Sequence, residues 1–114
     1  MASSTEYVEF IYEQLKDIGE ISYKKMFGEY VFYYGRKVFG GVYDDRFLVK
    51  ITNAGMALLP NCEKEPPYTN AKPMFLVDEI EDKVFLKELV LKTCEELQEV
   101  KIKKARNNQL RSKR

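Results

Sequence analysis

Residues 21–51 decide the fold, and they read ISYKKMFGEYVFYYGRKVFGGVYDDRFLVKI. β-Branched and aromatic residues dominate this stretch, and short turn sequences interrupt it, which is typical of strands joined by hairpins. The pattern predicts four strands, near residues 21–27, 29–34, 37–43 and 46–51. Because the connections are so short, neighbouring strands are expected to run antiparallel.

The residues between these strands predict the turns. Gly35 precedes Arg36 at the first central position of a two-residue turn, where a type II′ hairpin prefers glycine. Asp44 and Asp45 predict a second hairpin turn, although these residue types favour such a turn less strongly than the glycine of the first one. Gly28 allows a positive φ or a bulge between the first two strands.

Two adjacent glycines, Gly40 and Gly41, fall inside the third predicted strand. Glycine weakens a strand, so its presence there usually marks a bulge or the close approach of another element. We expect the first helix of the chain to pack across this position.

Helical periodicity precedes the strands. Apolar residues at spacings of three, four and three form one stripe, namely Val8, Ile11, Leu15 and Ile18. This stripe predicts an amphipathic helix. Ser3 and Glu6 have the spacing of a capping box, so the helix is expected to begin near Ser4. Gly19 suits the position just after its end.

A shorter helix is predicted downstream over residues 53–59. Thr52 or Asn53 would cap it, and Pro60 would end it. The proline-rich loop that follows is expected to contain a brief strand around Tyr68.

The last elements are a strand over residues 74–77 and a long helix over residues 82–100, with Asp82 as its cap. One face of that helix is apolar through Leu86, Leu89, Val90, Thr93, Cys94, Leu97 and Val100. The predicted fold is therefore a two-layer α+β domain with an antiparallel sheet. Its expected order is one helix, three to four strands, a helix, two strands and a final helix.

Length and composition limit the class of protein. A chain of 114 residues with 45% hydrophobic residues fits one packed domain. Its longest apolar stretches are four residues, far short of the roughly 20 that cross a bilayer. Residues 1–5 carry neither a charged nor an apolar signal segment, so the cytoplasm is the expected compartment.

Charge divides the chain into an acidic body and a basic tail. Residues 1–100 contain 12 basic and 18 acidic side chains, and residues 101–114 contain seven basic and no acidic ones. We expect residues 1–100 to form the domain, and the tail to be a frayed, solubilising end or an arm for DNA or RNA. The tail's basic residues are Lys101, Lys103, Lys104, Arg106, Arg111, Lys113 and Arg114.

Common catalytic groups are absent. The chain has no histidine, which removes serine–histidine and cysteine–histidine pairs. Cys62 and Cys94 alone cannot complete a zinc site, and they are interpreted as free thiols. The carboxylates in residues 78–82 fit the entrance of a helix better than a metal site. No catalytic, cofactor-binding or metal-binding residue is predicted, although an enzyme based on lysine or tyrosine leaves no spacing signature.

The most distinctive run is YKKMFGEY, residues 23–30. Aromatic residues on a sheet can stack on nucleic-acid bases, but in a domain this small they are interpreted mainly as core. The residues predicted to contact a partner are Lys24, Lys25, Met26, Phe27, Gly28, Arg36 and Lys50.

A resemblance to a known family rests on residues in a matching order. They are Met26, Phe27, Gly28, Tyr30, Tyr33, Gly35, Arg36, Phe39, Asp44, Asp45, Phe47, Leu48, Lys50, Pro67, Tyr68 and the strand over 74–77. Over about residues 4–100 the chain resembles the N-terminal domain of the TfoX/Sxy proteins, bacterial regulators of competence. Glu29 stands where that family often has a second glycine.

The resemblance implies an α+β sandwich similar to secretion-chaperone folds. It also implies a role like that of full-length members, which act as coactivators with the cyclic-AMP receptor protein at promoters. Those members carry a second, helical domain that these 114 residues do not contain, so a stand-alone member is expected.

The function predicted from the sequence is a non-enzymatic regulatory module that contacts a protein partner, without a cofactor and without a membrane. Two alternatives stay open, a nucleic-acid-binding protein that uses the tail and a small-ligand binder or unrecognised enzyme. A homodimer is a further possibility, suggested by the analogy of fold alone.

Overall fold

Three α-helices and six strands form residues 3–98, the part of the chain that this computed structural model describes. In chain order they are α1 (Thr5–Leu15), β1 (Ile21–Met26), β2 (Glu29–Tyr34), β3 (Lys37–Tyr43), β4 (Arg46–Val49), α2 (Asn53–Leu58), β5 (Lys64–Glu65), β6 (Met74–Leu76) and α3 (Lys83–Glu95). A 3₁₀ turn, Lys16–Ile18, follows α1. The predicted α+β class is confirmed.

All six strands belong to one sheet in the order β1-β2-β3-β4-β6-β5, and every neighbouring pair is antiparallel. The edges are β1 and β5. The predicted antiparallel arrangement of the first four strands is confirmed, because two-residue turns connect them.

The three turns between the first four strands are of two types. Phe27 and Gly28 both have positive φ, at 51° and 82°, as a type I′ turn requires. Asp44 and Asp45 form another such turn at φ values of 55° and 56°. In the turn between β2 and β3 only Gly35 has a positive φ, at 59°, which confirms the predicted type II′ geometry. The two type I′ turns lie at the same end of the sheet, and Phe27 belongs to a turn rather than to β1.

A β-bulge interrupts the pairing of β2 with β3. Phe32 faces Gly40, but Tyr33 faces Val38, so Phe39 is an extra residue on β3. The bulge that the glycine pair predicted is therefore present.

The close approach at the glycine pair comes from strands rather than from a helix. A Cβ on Gly40 would overlap the Leu48 carbonyl oxygen, and a Cβ on Gly41 would overlap the Tyr30 carbonyl oxygen. The expectation that the first helix packs across this position is wrong. Backbones of the flanking strands occupy the space that side chains would need.

The helices cover one face of the sheet and enclose the core there. Helix α1 packs against α3 and β1, and α3 packs against β3. The predicted stripes are buried at Val8, Ile11 and Leu15 of α1, and at Leu86, Leu89, Val90, Thr93 and Cys94 of α3. Four fully buried phenylalanines, Phe32, Phe39, Phe47 and Phe75, fill the centre. The interpretation of the strand aromatics as core is confirmed for these rings.

Side chains cap the helices largely as predicted. Thr52 Oγ1 accepts from Gly55 N at 3.0 Å, and Asp82 Oδ1 accepts from Phe85 N at 3.0 Å. Helix α1 begins where predicted, but Ser4 is its cap and accepts from Tyr7 N at 3.2 Å. Ser3 is buried and bonds elsewhere, so the predicted capping box is wrong.

Helix α3 ends at Glu95, earlier than the predicted residue 100. There the backbone bonds become i→i+3, since Glu96 N donates to the Thr93 carbonyl oxygen at 3.1 Å and Leu97 N to that of Cys94 at 3.2 Å. At this end the Glu96 carboxylate accepts from Asn53 N at 3.0 Å and from Ala54 N at 2.7 Å. Glu96 thereby satisfies two donors at the start of α2, where negative charge is favourable.

The brief strand predicted around Tyr68 is wrong. Strand β5 covers only Lys64–Glu65, and Tyr68 lies beyond it in a loop. Pro66 and Pro67 cannot donate a backbone hydrogen bond, so the ladder cannot continue through them.

None of the helices within residues 3–98 is long and apolar enough to cross a membrane. The predicted basic tail, residues 101–114, lies outside the described residues, as does the end of the predicted final helix.

Candidate interaction site on the open face of the sheet

One face of β1, β2 and β3 carries no helix, and we call it the open face. Strand alternation and the observed register place Lys24, Met26, Val31, Tyr33, Val38 and Tyr43 on it. Their neighbours Tyr30, Phe32 and Val42 point to the helices and are buried. The side chains of the open face are instead half-buried or exposed.

A groove of about 1020 Å³ runs along this open face. Val31, Val38 and Tyr43 form its floor, and a loop over residues 66–69 borders it on the β4 side. Burial, and to a smaller degree nearby Tyr68, raises the pKa of the Tyr43 hydroxyl. Tyr43 therefore stays neutral near pH 7 and can donate a hydrogen bond within the groove.

Arg46 holds the bordering loop in place. Its guanidinium donates to Glu65 Oε1 at 2.6 Å and to the carbonyl oxygens of Pro66 and Pro67 at 3.3 Å each. Its Nε donates to the Tyr43 carbonyl oxygen at 3.1 Å. The Glu65 carboxylate balances the Arg46 charge, and the three carbonyl oxygens accept further hydrogen bonds, so Arg46 serves to position the loop.

Phe27 stands at the upper end of the groove, in the turn between β1 and β2. Its relative accessible surface is 102%, and its φ of 51° is rare for a bulky side chain. Met26 beside it is 43% exposed. A fully exposed aromatic ring in a strained backbone position contributes nothing to the core, and such positions concentrate at binding sites.

A hydrogen-bond network on Glu29 fixes that end of the sheet. Glu29 Oε1 accepts from Ser3 N at 3.1 Å and from Ser3 Oγ at 2.7 Å, and its Oε2 accepts from Asp44 N at 2.9 Å. Asp45 N donates to Ser3 Oγ at 2.9 Å, and Ser4 N donates to Asp45 Oδ1 at 2.8 Å. The start of the chain and both type I′ turns are thus joined through one carboxylate.

Replacing Glu29 by alanine is expected to lower the free energy of unfolding by about 2 kcal/mol, because three donors lose a charged acceptor in a partly buried place. Urea unfolding followed by circular dichroism measures the loss. Glu29→Gln keeps one acceptor oxygen, so its free energy of unfolding should fall by less than that of Glu29→Ala. An equal loss in both variants would show that the charge of the carboxylate, rather than its reach, carries the effect.

The residues predicted to contact a partner do not all lie together. Lys24 and Lys25 are exposed on the edge strand β1, next to Met26 and Phe27. Arg36 lies in the turn at the opposite end of the sheet, about 20 Å away by strand length.

Lys50 also lies towards that far end, just after β4, and its backbone N donates to the Phe39 carbonyl oxygen at 2.8 Å. The structure thus places Lys24, Met26, Phe27 and Gly28 at one end of the open face. Lys25 points to the helix-covered face, and Arg36 and Lys50 stand apart from the others.

Several groove residues were not singled out from the sequence. Val31 alternates with core residues along β2, and that alternation was the available signal for a second, open face. Along β3 the bulge at Phe39 breaks the alternation and places Val38 and Tyr43 on the same face, which the sequence does not reveal. No sequence signal indicated that Arg46 holds a loop beside them.

Both cysteines are free thiols, as predicted. Burial raises the pKa of the Cys94 thiol to about 11, while Lys37 lowers it by a smaller amount. Among residues 3–98, no three or more cysteine, aspartate or glutamate side chains converge in a way that would hold a metal ion.

The raised pKa of the Cys94 thiol predicts that the folded protein becomes less stable at alkaline pH. In the unfolded chain the thiol ionises near its ordinary pKa of 9.0, whereas the folded protein keeps the proton until about pH 11. Above pH 9 the unfolded state therefore releases its proton first, so stability falls as pH rises from 9 to 11. Urea unfolding at pH 8 and pH 10 should show a steeper loss in the wild type than in Cys94→Ala. If stability depended on pH identically in both proteins, the loss at high pH could not be assigned to Cys94.

The fold and the groove define a small α+β domain with one sheet, covered by helices on one face and open on the other. A family model described as the TfoX N-terminal domain matches residues 13–86. The chain belongs to the TfoX N-terminal domain family.

A relative from Spirochaeta aurantia is named "Uncharacterized 12.7 kDa protein in trpE 5'region", and it is 35% identical over 80 residues, which cover 70% of each chain. No solved structure matches the chain significantly.

Proposed function

We propose that this chain is a non-enzymatic interaction module that acts in transcription-linked regulation by contacting a protein partner through the open face. Membership of the TfoX N-terminal domain family supports the regulatory part. The groove and its bordering residues support the contact surface.

The observation that carries the proposal is Phe27. The ring is fully exposed and the backbone is strained, next to exposed Met26 and an apolar groove floor. Such a site combines a rigid aromatic anchor with a concave apolar surface, which is how the energetic centre of a protein interface is commonly built.

The chemistry of the groove favours binding over catalysis. Tyr43 is neutral near pH 7, and Arg46 is occupied by Glu65 and by two loop carbonyl oxygens. Glu29 is held by three donors. Arg46 and Glu29 are thus committed to structure, and the Tyr43 hydroxyl remains to donate a hydrogen bond that orients a partner.

Affinity capture from a lysate of the native organism, followed by reconstitution with the purified partner, tests the proposal. Replacing Met26 and Tyr68 together by serine removes exposed apolar surface from the groove and should weaken binding by at least about tenfold. Phe10 and Val84 are exposed apolar residues of the helix layer, and replacing both by serine is the matched control. Equal binding by the two double variants would contradict the proposal.

A second candidate function is nucleic-acid binding through the tail. The supporting observation is the composition of residues 101–114, with seven basic and no acidic side chains. A protein lacking residues 101–114 should lose its affinity for DNA and RNA in a fluorescence anisotropy titration. For the full chain, affinity should fall steeply with added salt. Unchanged affinity after the truncation would remove this candidate.

A further inference from the structure

We infer that the element bound in the groove is an amphipathic α-helix of another protein, with its apolar stripe on the floor formed by Val31, Val38 and Tyr43. The inference rests on the proposed function and states what the partner presents to the open face.

Backbone hydrogen bonding selects a helix for this position. Strand β2 is paired on both sides, by β1 and β3, and β3 is paired by β2 and β4. The floor therefore offers no free backbone donors or acceptors to a segment that lies across it. An extended segment there would leave its own polar groups unpaired, whereas a helix pairs them internally.

The dimensions of the open face agree with a helix. Three adjacent strands, β1 to β3, span about 10 Å between the outer axes, at roughly 4.8 Å for each step. A helix with its side chains is about 10–12 Å across. The opposite face of the same sheet is already covered by helices, and a helix is the element that commonly packs on an apolar sheet face.

The charges at the upper end determine the orientation of the helix. Asp44 is exposed and borders the groove beside Glu29, while Arg46 is neutralised by its 2.6 Å pair with Glu65. The carboxylates of Glu29 and Asp44 at this end favour the N-terminus of a helix and basic residues in its first turn.

Strand β1 places the exposed Lys24 on the open face beside Val31, whereas Lys25 pairs with Tyr30 and points to the helix-covered face. The bound helix therefore runs antiparallel to β3, with acidic residues on the side that faces β1.

A pair of valine substitutions tests whether the floor is occupied. Val31→Lys places a charge under the apolar stripe and should weaken binding to the purified partner by at least about tenfold. Val84 is 81% exposed on α3, so Val84→Lys is the matched control and should bind as the wild type does. Circular dichroism confirms that both variants are folded. Wild-type affinity in folded Val31→Lys would overturn both the inference and the proposed function.

Photo-cross-linking identifies the shape of the bound element. The full chain carries p-benzoylphenylalanine at position 31, 38 or 43, one at a time, and at position 84 as the control, and cross-linked partner residues are identified by mass spectrometry in the native lysate. Contacts spaced three or four residues apart in one partner segment support a helix.

Contacts spaced two apart, or contacts in a second copy of this chain, would overturn the helix and leave the proposed function standing. Absence of partner contacts from all three floor positions would overturn both. A synthetic peptide of the mapped segment should then bind the wild type and should bind Val31→Lys at least about tenfold more weakly.

Discussion

Replacing Gly40 by alanine is expected to lower the free energy of unfolding by at least about 3 kcal/mol, enough to unfold many domains of this size. The added Cβ would overlap the Leu48 carbonyl oxygen and lie 3.0 Å from the Val49 Cα. Both atoms belong to the backbone of β4, whose Val49 is paired with Gly40. Relief would require β3 and β4 to separate, which breaks ladder hydrogen bonds in the middle of the sheet.

Gly35→Ala provides the comparison. Gly35 has a φ of 59°, and a Cβ there meets only the Glu20 Oε1 atom at 3.3 Å, the end of a flexible side chain. Its cost is therefore mainly the left-handed backbone, about 1 kcal/mol. Urea unfolding of both variants measures the difference. A loss at Gly40 no greater than the loss at Gly35 would show that the strands move apart easily.

Replacing Phe27 by asparagine is expected to change stability and binding in opposite directions. Asparagine tolerates the left-handed conformation far better than phenylalanine, and Asn-Gly is a preferred type I′ pair. The free energy of unfolding should rise by about 0.5–1 kcal/mol, since the exposed ring gives up no core contact. Binding of the partner should weaken by about 2 kcal/mol, or roughly 30-fold, because an aromatic anchor is lost.

The opposite signs separate a binding role from a structural one. If Phe27 supported the fold, the asparagine variant would lose stability as well as affinity. Phe27→Leu keeps an apolar side chain at the same φ of 51°, so its stability should stay near that of the wild type. Urea unfolding and fluorescence anisotropy with the purified partner measure the two quantities. A variant that is more stable and binds normally would exclude Phe27 from the interface.

The hairpins were predictable because their determinants are local. Gly35 occupies the turn position that needs a positive φ, and the alternation of buried Tyr30 and Phe32 with half-buried Val31 and Tyr33 distinguishes the two faces of β2. Helix starts were similarly predictable, since Thr52 and Asp82 bond to backbone donors only three residues away.

The end of α3 was not predictable from local patterns. The apolar stripe continues to Leu97, but Glu96 bonds across space to the start of α2. A contact separated by more than 40 residues leaves no periodic signature in the sequence.

The groove was only partly predictable. The run from Lys24 to Gly28 was singled out, and it lies at the upper end of the open face except for Lys25, which points to the helix-covered face. The position of the bordering loop depends on Arg46, which donates to the carbonyl oxygens of Pro66 and Pro67. These residues are separated from Arg46 by about 20 positions in the sequence. Sequence alone gave no reason to pair them, because backbone carbonyls accept from any suitable donor.

The two edges of the sheet also affect how the protein behaves at high concentration. An unpaired edge strand invites other copies to add strands and to polymerise. Strand β1 carries the charges of Lys24 and Lys25, which repel a second copy aligned on the same edge. Strand β5 is only two residues long and runs into Pro66 and Pro67. Neither edge offers a long uncharged template, so the domain can leave one apolar face open to a partner without forming aggregates through its strands.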